Sequence, residues 1–142
     1  MVELRRHFQG NPPQIAEMRN FIRTGCREVW NEDSDAQAIS QLELAVSEAA
    51  SNIVLHGLQG QPGELILLTL DIEPDQARLT FLYPGRTFTP HTVPPPNFAG
   101  LAESGYGMYL IQKCVDDVHY LRDDADFCTI RFIKNRKCDK GE

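Results

Sequence analysis

The sequence predicts an α+β domain, a two-layer α/β sandwich in which helices cover one face of a mixed, mostly antiparallel sheet. Three observations carry this prediction. Two helical patterns follow one another between residues 11 and 57 with no strand between them. The strand-like segments that come later occur as hairpin pairs, which favours antiparallel neighbours. A third helical pattern separates the two hairpins, so the predicted order is β–α–α–β–β–α–β–β.

The first half of the chain supplies one strand and two helices. Residues 2–8 alternate weakly and predict the first strand. Asn11 precedes two prolines, which predicts a helix capped by Asn11. Ser34 and Gln37 have the spacing of a capping box, so a second helix is expected to begin there and to run to about His56. The apolar face predicted for this second helix consists of Leu42, Val46, Ala49, Ala50 and Ile53.

The second half supplies the hairpins, a long loop and the third helix. Residues 84–104 are rich in proline and glycine, and a loop of this length in a small domain is typical of a lid or a binding loop. The remaining predicted elements are strands at residues 64–72 and 77–83, a helix at residues 105–114, and strands at residues 118–122 and 127–134.

The composition fits a single globular domain. The 142 residues are 42% hydrophobic and 24% charged, which is enough for one core. We expect the domain at residues 1–135 and a charged tail at residues 136–142. A net charge of -6 without a basic stripe argues against direct binding of nucleic acid. No signal-peptide pattern and no membrane-length apolar run are present, which predicts a cytoplasmic protein that does not insert into a membrane.

The four cysteines indicate neither a disulfide framework nor a zinc site, because no CxxC pair is present. Cys26, Cys114 and Cys128 fall within apolar runs, which predicts buried free thiols. Cys138 lies in the charged tail and is expected to be exposed. Among the aromatic residues, Trp30, Phe88, Phe98 and Tyr106 are candidates for a partner surface, and core packing is the alternative for each of them.

One polar stripe on the second helix can carry chemistry. Leu44, Glu48, Asn52 and His56 recur every four residues and lie beside the apolar face. A carboxylate and a carboxamide one turn apart can hold a hard cation such as Mg²⁺ and orient a nucleophile. The spacing alone fits solvated polar positions on an amphipathic helix better.

Two glycine-containing segments are candidate ligand contacts. Residues 104–107 (SGYG) open the third helix, where free backbone N–H groups at the positive end of the helix dipole attract anions. Simple loop flexibility is the alternative explanation. Gly85 follows a strand end at Tyr83 and permits close approach of the backbone to a flat ligand. A type II turn explains the same residues.

Together, these segments resemble the GHKL (Bergerat-fold) ATPase superfamily, and within it the anti-sigma-factor serine/threonine kinases of bacterial partner-switching systems. The resemblance spans residues 8–134. Residues 48–57 (EAASNIVLHG) resemble the N-box of the family. Residues 104–111 (SGYGMYLI) resemble its G2 box, and residues 115–118 resemble the strand that follows. Residues 83–90 stand at the position of the G1 box, and residues 127–132 at the position of the closing strand.

The resemblance implies a mechanism and a set of partners. ATP would lie between the second helix and the lid, with Mg²⁺ bound by Asn52 and Glu48 acting as the catalytic general base on a serine of a partner protein. That partner would be an anti-sigma-factor antagonist of the STAS type, which displaces a sigma factor from the kinase until it is phosphorylated. Homodimers are common in the family. The nucleotide-binding residues implied are Asn52, His56, Gly85, Ser104, Gly105, Gly107 and Thr129, with the two later glycines contacting phosphates through backbone amides and Thr129 lining the base end.

Three residues depart from the family pattern. Tyr83 stands where relatives have an adenine-binding Asp, Glu103 where they often have Arg, and Cys128 where a Gly usually precedes the closing Thr. In addition, no Lys or Arg occurs between Arg86 and Lys113.

These departures weigh against ATP and Mg²⁺ binding and leave a second hypothesis open. It is a non-enzymatic binding module on the same fold that sequesters a sigma factor or a STAS-type antagonist. A histidine-kinase-like ATPase domain detached from its receptor is a third and weaker hypothesis, because no phosphoacceptor helix pair accompanies it.

Overall fold

A computed structural model describes residues 2–57, 64–84, 103–122 and 127–136 of the chain. Helix α2 continues without interruption into a π-helical turn at Ile53–Gly57. The helices and strands follow one another in the predicted order. The elements are β1 (Val2–Gln9), α1 (Gln14–Cys26), α2 (Ala36–Asn52), β2 (Leu65–Ile72), β3 (Gln76–Pro84), α3 (Glu103–Cys114), β4 (Asp117–Arg122) and β5 (Phe127–Asn135).

The five described strands form one sheet in the order β1-β2-β3-β5-β4, and every neighbouring pair is antiparallel. The two predicted hairpins, β2 with β3 and β4 with β5, are both present. The predicted α+β sandwich is therefore confirmed, with a described sheet that is antiparallel throughout rather than mixed.

The core lies between one face of the sheet and the helices. Alternate residues of each central strand point to the helices and are fully buried, as the pleat of a strand requires. The predicted apolar face of α2 is buried against them. The buried strand residues are Ile66, Leu68, Leu70 and Ile72 of β2, Ala77, Leu79, Phe81 and Tyr83 of β3, and Cys128, Ile130 and Phe132 of β5.

Helix α1 packs close to the sheet at a glycine. A Cβ atom at Gly25 would lie 2.6 Å from Leu70 Cδ2 and 2.9 Å from Leu4 Cδ1. A side chain there would require the Leu70 and Leu4 side chains to shift, so Gly25 lets α1 pack closely against the sheet.

The predicted helix caps are wrong at both helices. Helix α1 has Pro13 at its N-cap, and Asn11 contributes only its backbone oxygen, which accepts from Gln14 N at 3.0 Å. Helix α2 has Asp35 rather than Ser34 at its N-cap. The Ser34 amide is bound by the Asn31 side chain instead, at 2.8 Å. Short-range side-chain bonds of this kind compete with capping for the same groups.

The thiols and Trp30 belong to the core. Cys26, Cys114 and Cys128 are buried and form no disulfide bond, as predicted. Burial raises the pKa of Cys26 to about 12, so this thiol stays protonated at neutral pH. Trp30 is buried, and its indole N–H donates to the Glu73 carbonyl at 2.9 Å, which favours packing over a partner surface. Cys138, Phe88 and Phe98 lie outside the described residues.

Within the described part of the chain, no helix is both long and apolar enough to cross a membrane.

Candidate functional site

Helix α2 runs from one end of the sheet toward the other. Its first turn is fixed to the end of β5, because Arg136 Nη2 lies 3.0 Å from Asp35 Oδ2. The helix has 17 residues and is about 25 Å long, while the nine residues of β5 span about 30 Å. The C-terminal end of α2 therefore lies over the end of the sheet where β5 begins and β3 ends.

Glu48 and Asn52 lie on this C-terminal half of α2 and are both half-buried. The residues between them, Ala49 and Ala50, are fully buried in the core. The two polar side chains thus flank the apolar face. Neither is fully exposed to solvent, as both would be if they were ordinary surface positions of an amphipathic helix. Helix α3 packs against α2 and supplies the neighbour that covers them.

That neighbour is Gly107. A Cβ atom at Gly107 would lie 3.0 Å from Glu48 Oε1, 3.7 Å from Asn52 Nδ2 and 3.9 Å from Asn52 Oδ1. The backbone of α3 therefore passes directly against both polar side chains. A residue other than glycine would displace the Glu48 carboxylate by a few tenths of an ångström. The structure brings these three predicted site residues into one cluster.

Helix α3 begins at Glu103, two residues earlier than predicted. Ser104 and Gly105 therefore lie in its first turn, where backbone N–H groups have no partner within the helix and remain available to an anion. Gly107 lies one turn further on, where a regular helix uses its amide in the intrahelical ladder. Its position favours a steric role beside Glu48 over the phosphate contact that the resemblance implies.

The stripe on α2 does not continue regularly to His56. At Ile53 the helix changes to a π turn, which closes i to i+5 rather than i to i+4 hydrogen bonds. Four residues make slightly more than one turn of an α-helix and slightly less than one turn of a π-helix, so the π turn reverses the drift of the stripe between Asn52 and His56. The predicted nucleotide contact of His56 stays a prediction, and Gly85 lies outside the described residues.

Thr129, which the resemblance places at the base end, lies on the face of β5 opposite to the helices. In β5, Cys128, Ile130 and Phe132 are buried toward the helices, so Thr129 points to the opposite face of the sheet. The structure does not bring Thr129 to the side of Glu48 and Asn52. The alternation of apolar residues in β5 was the sequence signal that places Cys128 on the helix side.

Tyr83 lies directly opposite Cys128 on the same face. Its side chain is 1% exposed, and its hydroxyl interacts with the Cys128 thiol. Burial raises the pKa of the Tyr83 phenol, and the adjacent Cys128 thiol adds to the effect, so the hydroxyl keeps its proton at neutral pH. The family resemblance implies an acidic side chain at this position.

The cluster fits a magnesium nucleotide in its donor types. Glu48 and Asn52 offer carboxylate and carboxamide oxygens, which are the ligands that Mg²⁺ takes together with phosphate oxygens and water. The absence of a side chain at Gly107 lets both groups lie against the backbone of α3. Asn52 is the residue that would hold the ion. No group of three or more His, Cys, Asp or Glu side chains in the described ranges forms a cage for a metal.

Comparison with known proteins agrees with this geometry. The model of the histidine kinase-like ATPase domain family matches residues 8–134. Among curated proteins, the chain is similar to anti-sigma F factor from Bacillus cytotoxicus, with 24% identity over 106 residues that cover 72% of this chain and 73% of the relative. It is similar also to serine-protein kinase RsbW from Bacillus cereus, with 28% identity over 135 residues that cover 88% of this chain and 83% of the relative.

A second serine-protein kinase RsbW, from Bacillus thuringiensis, is 28% identical over 134 residues with the same coverage of both chains. The family match includes every described helix, strands β2, β3 and β4, and nearly all of β5. It contains Glu48, Asn52 and Gly107, the three residues that the fold brings together. The chain therefore belongs to the histidine kinase-like ATPase family, in the branch of the anti-sigma-factor kinases.

Proposed function

We propose that this protein is a cytoplasmic anti-sigma factor that phosphorylates a serine of its antagonist, with ATP as the phosphoryl donor. The observation that carries the proposal is the close approach of Gly107 to Glu48 and Asn52, because it brings the two chemical groups together against the backbone of α3. The names of the relatives, an anti-sigma factor and serine-protein kinases, support the same activity.

Each residue of the cluster has a distinct task in this proposal. Asn52 holds Mg²⁺, which supplies positive charge to offset that of the phosphates. The free amides of the first turn of α3, at Ser104 and Gly105, bind phosphate oxygens. Glu48 accepts the proton of the partner's serine hydroxyl while the serine oxygen bonds to the γ-phosphorus and ADP leaves.

The partners follow from the relatives. A sigma factor and a STAS-type antagonist would compete for this chain, and phosphorylation of the antagonist would return the sigma factor to it. A homodimer is the expected assembly. We infer these partners from the family and its named members, so their identification requires binding experiments with the STAS-domain proteins of the same genome.

A second candidate function is the non-enzymatic binding module. Tyr83 favours it, because a buried aromatic ring stands where a nucleotide base would need an acidic partner. In this case the fold would bind the sigma factor or the antagonist without any transfer of phosphate.

Replacement of Glu48 by Gln tests the proposed transfer. The change keeps the shape of the side chain and removes its basicity, so transfer to the antagonist should fall by at least about a hundredfold. Mg·ATP binding should remain, because Asn52 and the α3 amides are unchanged. Phosphate incorporation into purified STAS-domain proteins, followed by mass spectrometry, measures the first, and calorimetry measures the second.

Ser51→Ala is the matched control, since Ser51 is half-buried on the same helix one residue before Asn52. It should leave both measurements unchanged. Transfer by the Glu48→Gln variant at the wild-type rate would refute the role of Glu48. Binding of a STAS-domain protein without any transfer by the wild type would establish the binding module instead.

A further inference from the structure

Lys134 interrupts the apolar alternation of β5. The preceding residues on the helix-facing side of this strand, Cys128, Ile130 and Phe132, are buried in the core. Lys134 is the next residue on that side, because alternate residues of a strand share a face, and its side chain is half-buried. A charged group brought under the helices is costly unless hydrogen bonds satisfy it. The partners of the Lys134 ammonium group therefore indicate what it does there.

The ammonium group connects two helices. Lys134 Nζ donates to Gln41 Oε1 of α2 at 2.6 Å and to the Cys114 carbonyl of α3 at 2.8 Å. Cys114 is the last residue of α3, so its carbonyl is one of those that the helix itself leaves without a partner. A cation at this end of a helix also interacts favourably with the helix dipole. Lys134 thus binds the C-terminal end of α3 to α2 and to the sheet.

Helices α2 and α3 meet at two points that are equally spaced on both of them. At one point Gly107 lies against Glu48, and at the other Lys134 joins Cys114 to Gln41. The step from Gly107 to Cys114 equals the step from Glu48 to Gln41, at about 10 Å along each helix. The two helices therefore lie antiparallel, and a displacement of α3 at one point is a displacement at the other.

Apolar packing fixes the position of α3 along α2 less sharply than Lys134 does. Ile111 of α3 is buried in the core, and it lies between the two contact points along the helix. Burial of an apolar side chain is favourable but non-directional. Hydrogen bonds of the length that Lys134 makes restrict both distance and angle. The bonds of Lys134 therefore set the register of α3 against α2.

We propose that Lys134 is a positioning residue, which holds α3 in register with α2 and so places the first-turn amides of α3 at the phosphates of the nucleotide. This inference rests on the proposed function, because it requires a nucleotide at Asn52. Lys134 acts through α3 on the amides of Ser104 and Gly105, which lie at the opposite end of that helix. Its effect is on nucleotide affinity, since Glu48 belongs to α2 and keeps its place.

Lys134→Met tests the proposal, because it removes the ammonium group and keeps the length of the side chain. The affinity for Mg·ATP, measured by calorimetry, should fall by about tenfold, since only the molecules with α3 in register bind well. Transfer to the antagonist at saturating ATP should stay within about threefold of the wild-type rate. Amide hydrogen exchange of α3 in the nucleotide-free protein should become about tenfold faster relative to that of β2.

Two further variants test the same connection. Lys134→Arg keeps a cation with several donors, so it should restore most of the affinity and of the protection of α3. Gln41→Met removes one of the two acceptors that Lys134 uses, so the affinity should fall by about threefold. Because Gln41 is half-buried rather than part of the core, this variant tests the inference even where Lys134→Met is poorly folded.

Arg136→Ala is the matched control. Arg136 also binds α2, through Asp35, and donates to the Pro74 carbonyl, and neither of these partners belongs to α3. The variant should lower stability while leaving the Mg·ATP affinity and the relative exchange of α3 unchanged. A merely structural role for Lys134 would make Lys134→Met and Arg136→Ala behave alike.

The outcomes separate this inference from the function it rests on. Unchanged affinity or unchanged exchange of α3 in Lys134→Met, in a wild type that binds Mg·ATP, would overturn only the inference about Lys134. An equal loss of affinity in Arg136→Ala would do the same. Failure of the wild type to bind Mg·ATP would overturn the proposed function and this inference together.

Discussion

The two ends of α2 differ in how their polar groups are satisfied. At the N-terminal end, the buried Asp35 carboxylate is bound by Arg136 and by the Asn31 amide, which lies 2.8 Å from Asp35 Oδ2. Near the same end, Lys134 donates hydrogen bonds to Gln41 Oε1 at 2.6 Å and to the Cys114 carbonyl at 2.8 Å. Asp35, Arg136 and Lys134 are all bound by groups of the chain itself.

The C-terminal end of α2 is built differently. The helix continues into a π turn, and Glu48 and Asn52 face the backbone of α3 at Gly107. A carboxylate and a carboxamide offer oxygen ligands to a hard cation. The comparison indicates that one end of α2 holds the fold together, and the other end is where we propose the chemistry.

The largest expected effect is on stability, at the N-terminal end. Arg136→Ala leaves the buried Asp35 carboxylate without its ion-pair partner, which should lower the free energy of unfolding by about 2–3 kcal/mol. This value is below that of a fully buried pair, because the Arg136 side chain is 33% exposed. Nucleotide binding should be unaffected. Urea unfolding measures the first quantity, and calorimetry measures the second.

Arg27→Ala is the control for this prediction. Arg27 also pairs with an acid, Glu32, at 2.7 Å, but both side chains are largely exposed. Its removal should cost less than about 1 kcal/mol. Equal destabilisation by the two variants would contradict the special role assigned to Asp35 and Arg136.

A smaller effect, on activity, is expected from Gly107→Ala at the other end. The new Cβ would push against Glu48 Oε1, so phosphoryl transfer should fall by about tenfold through misplacement of the carboxylate. Stability should change little, because alanine favours a helix by about 1 kcal/mol over glycine and offsets the crowding. Transfer rate and urea unfolding are the two measurements.

Gly25→Ala is the control variant for the Gly107→Ala prediction, because it also adds a methyl group to a helical glycine. Its Cβ would meet core side chains of the strands rather than the site, so it should lower stability and leave transfer per folded molecule unchanged. A loss of stability in Gly107→Ala without a loss of transfer would show that Gly107 serves packing rather than chemistry.

The fold followed from the sequence because its determinants are local and periodic. Alternation in β2 and β3 and the apolar stripe of α2 fixed which faces are buried. The caps at Asn11 and Ser34 were predicted wrongly, because nearby polar groups offered these segments other hydrogen bonds. Such competition between equivalent local bonds is not decided by residue type alone.

The site was only partly predictable. Glu48 and Asn52 were identified from spacing and resemblance, but their contact with Gly107 joins segments more than 50 residues apart and required the fold. The π turn at Ile53 is a deviation that a regular four-residue pattern cannot reveal. Thr129 was assigned to the base end by resemblance, whereas the alternation of β5 assigns its face to Cys128.

Calorimetric titration of Mg·ATP into the wild type, Asn52→Ala and Ser51→Ala tests the central claim most directly, because the claim places the nucleotide at the C-terminal end of α2. The account predicts saturable binding by the wild type and by Ser51→Ala, and loss of binding in Asn52→Ala. No binding by the wild type at millimolar nucleotide, or equal binding by Asn52→Ala, would contradict it.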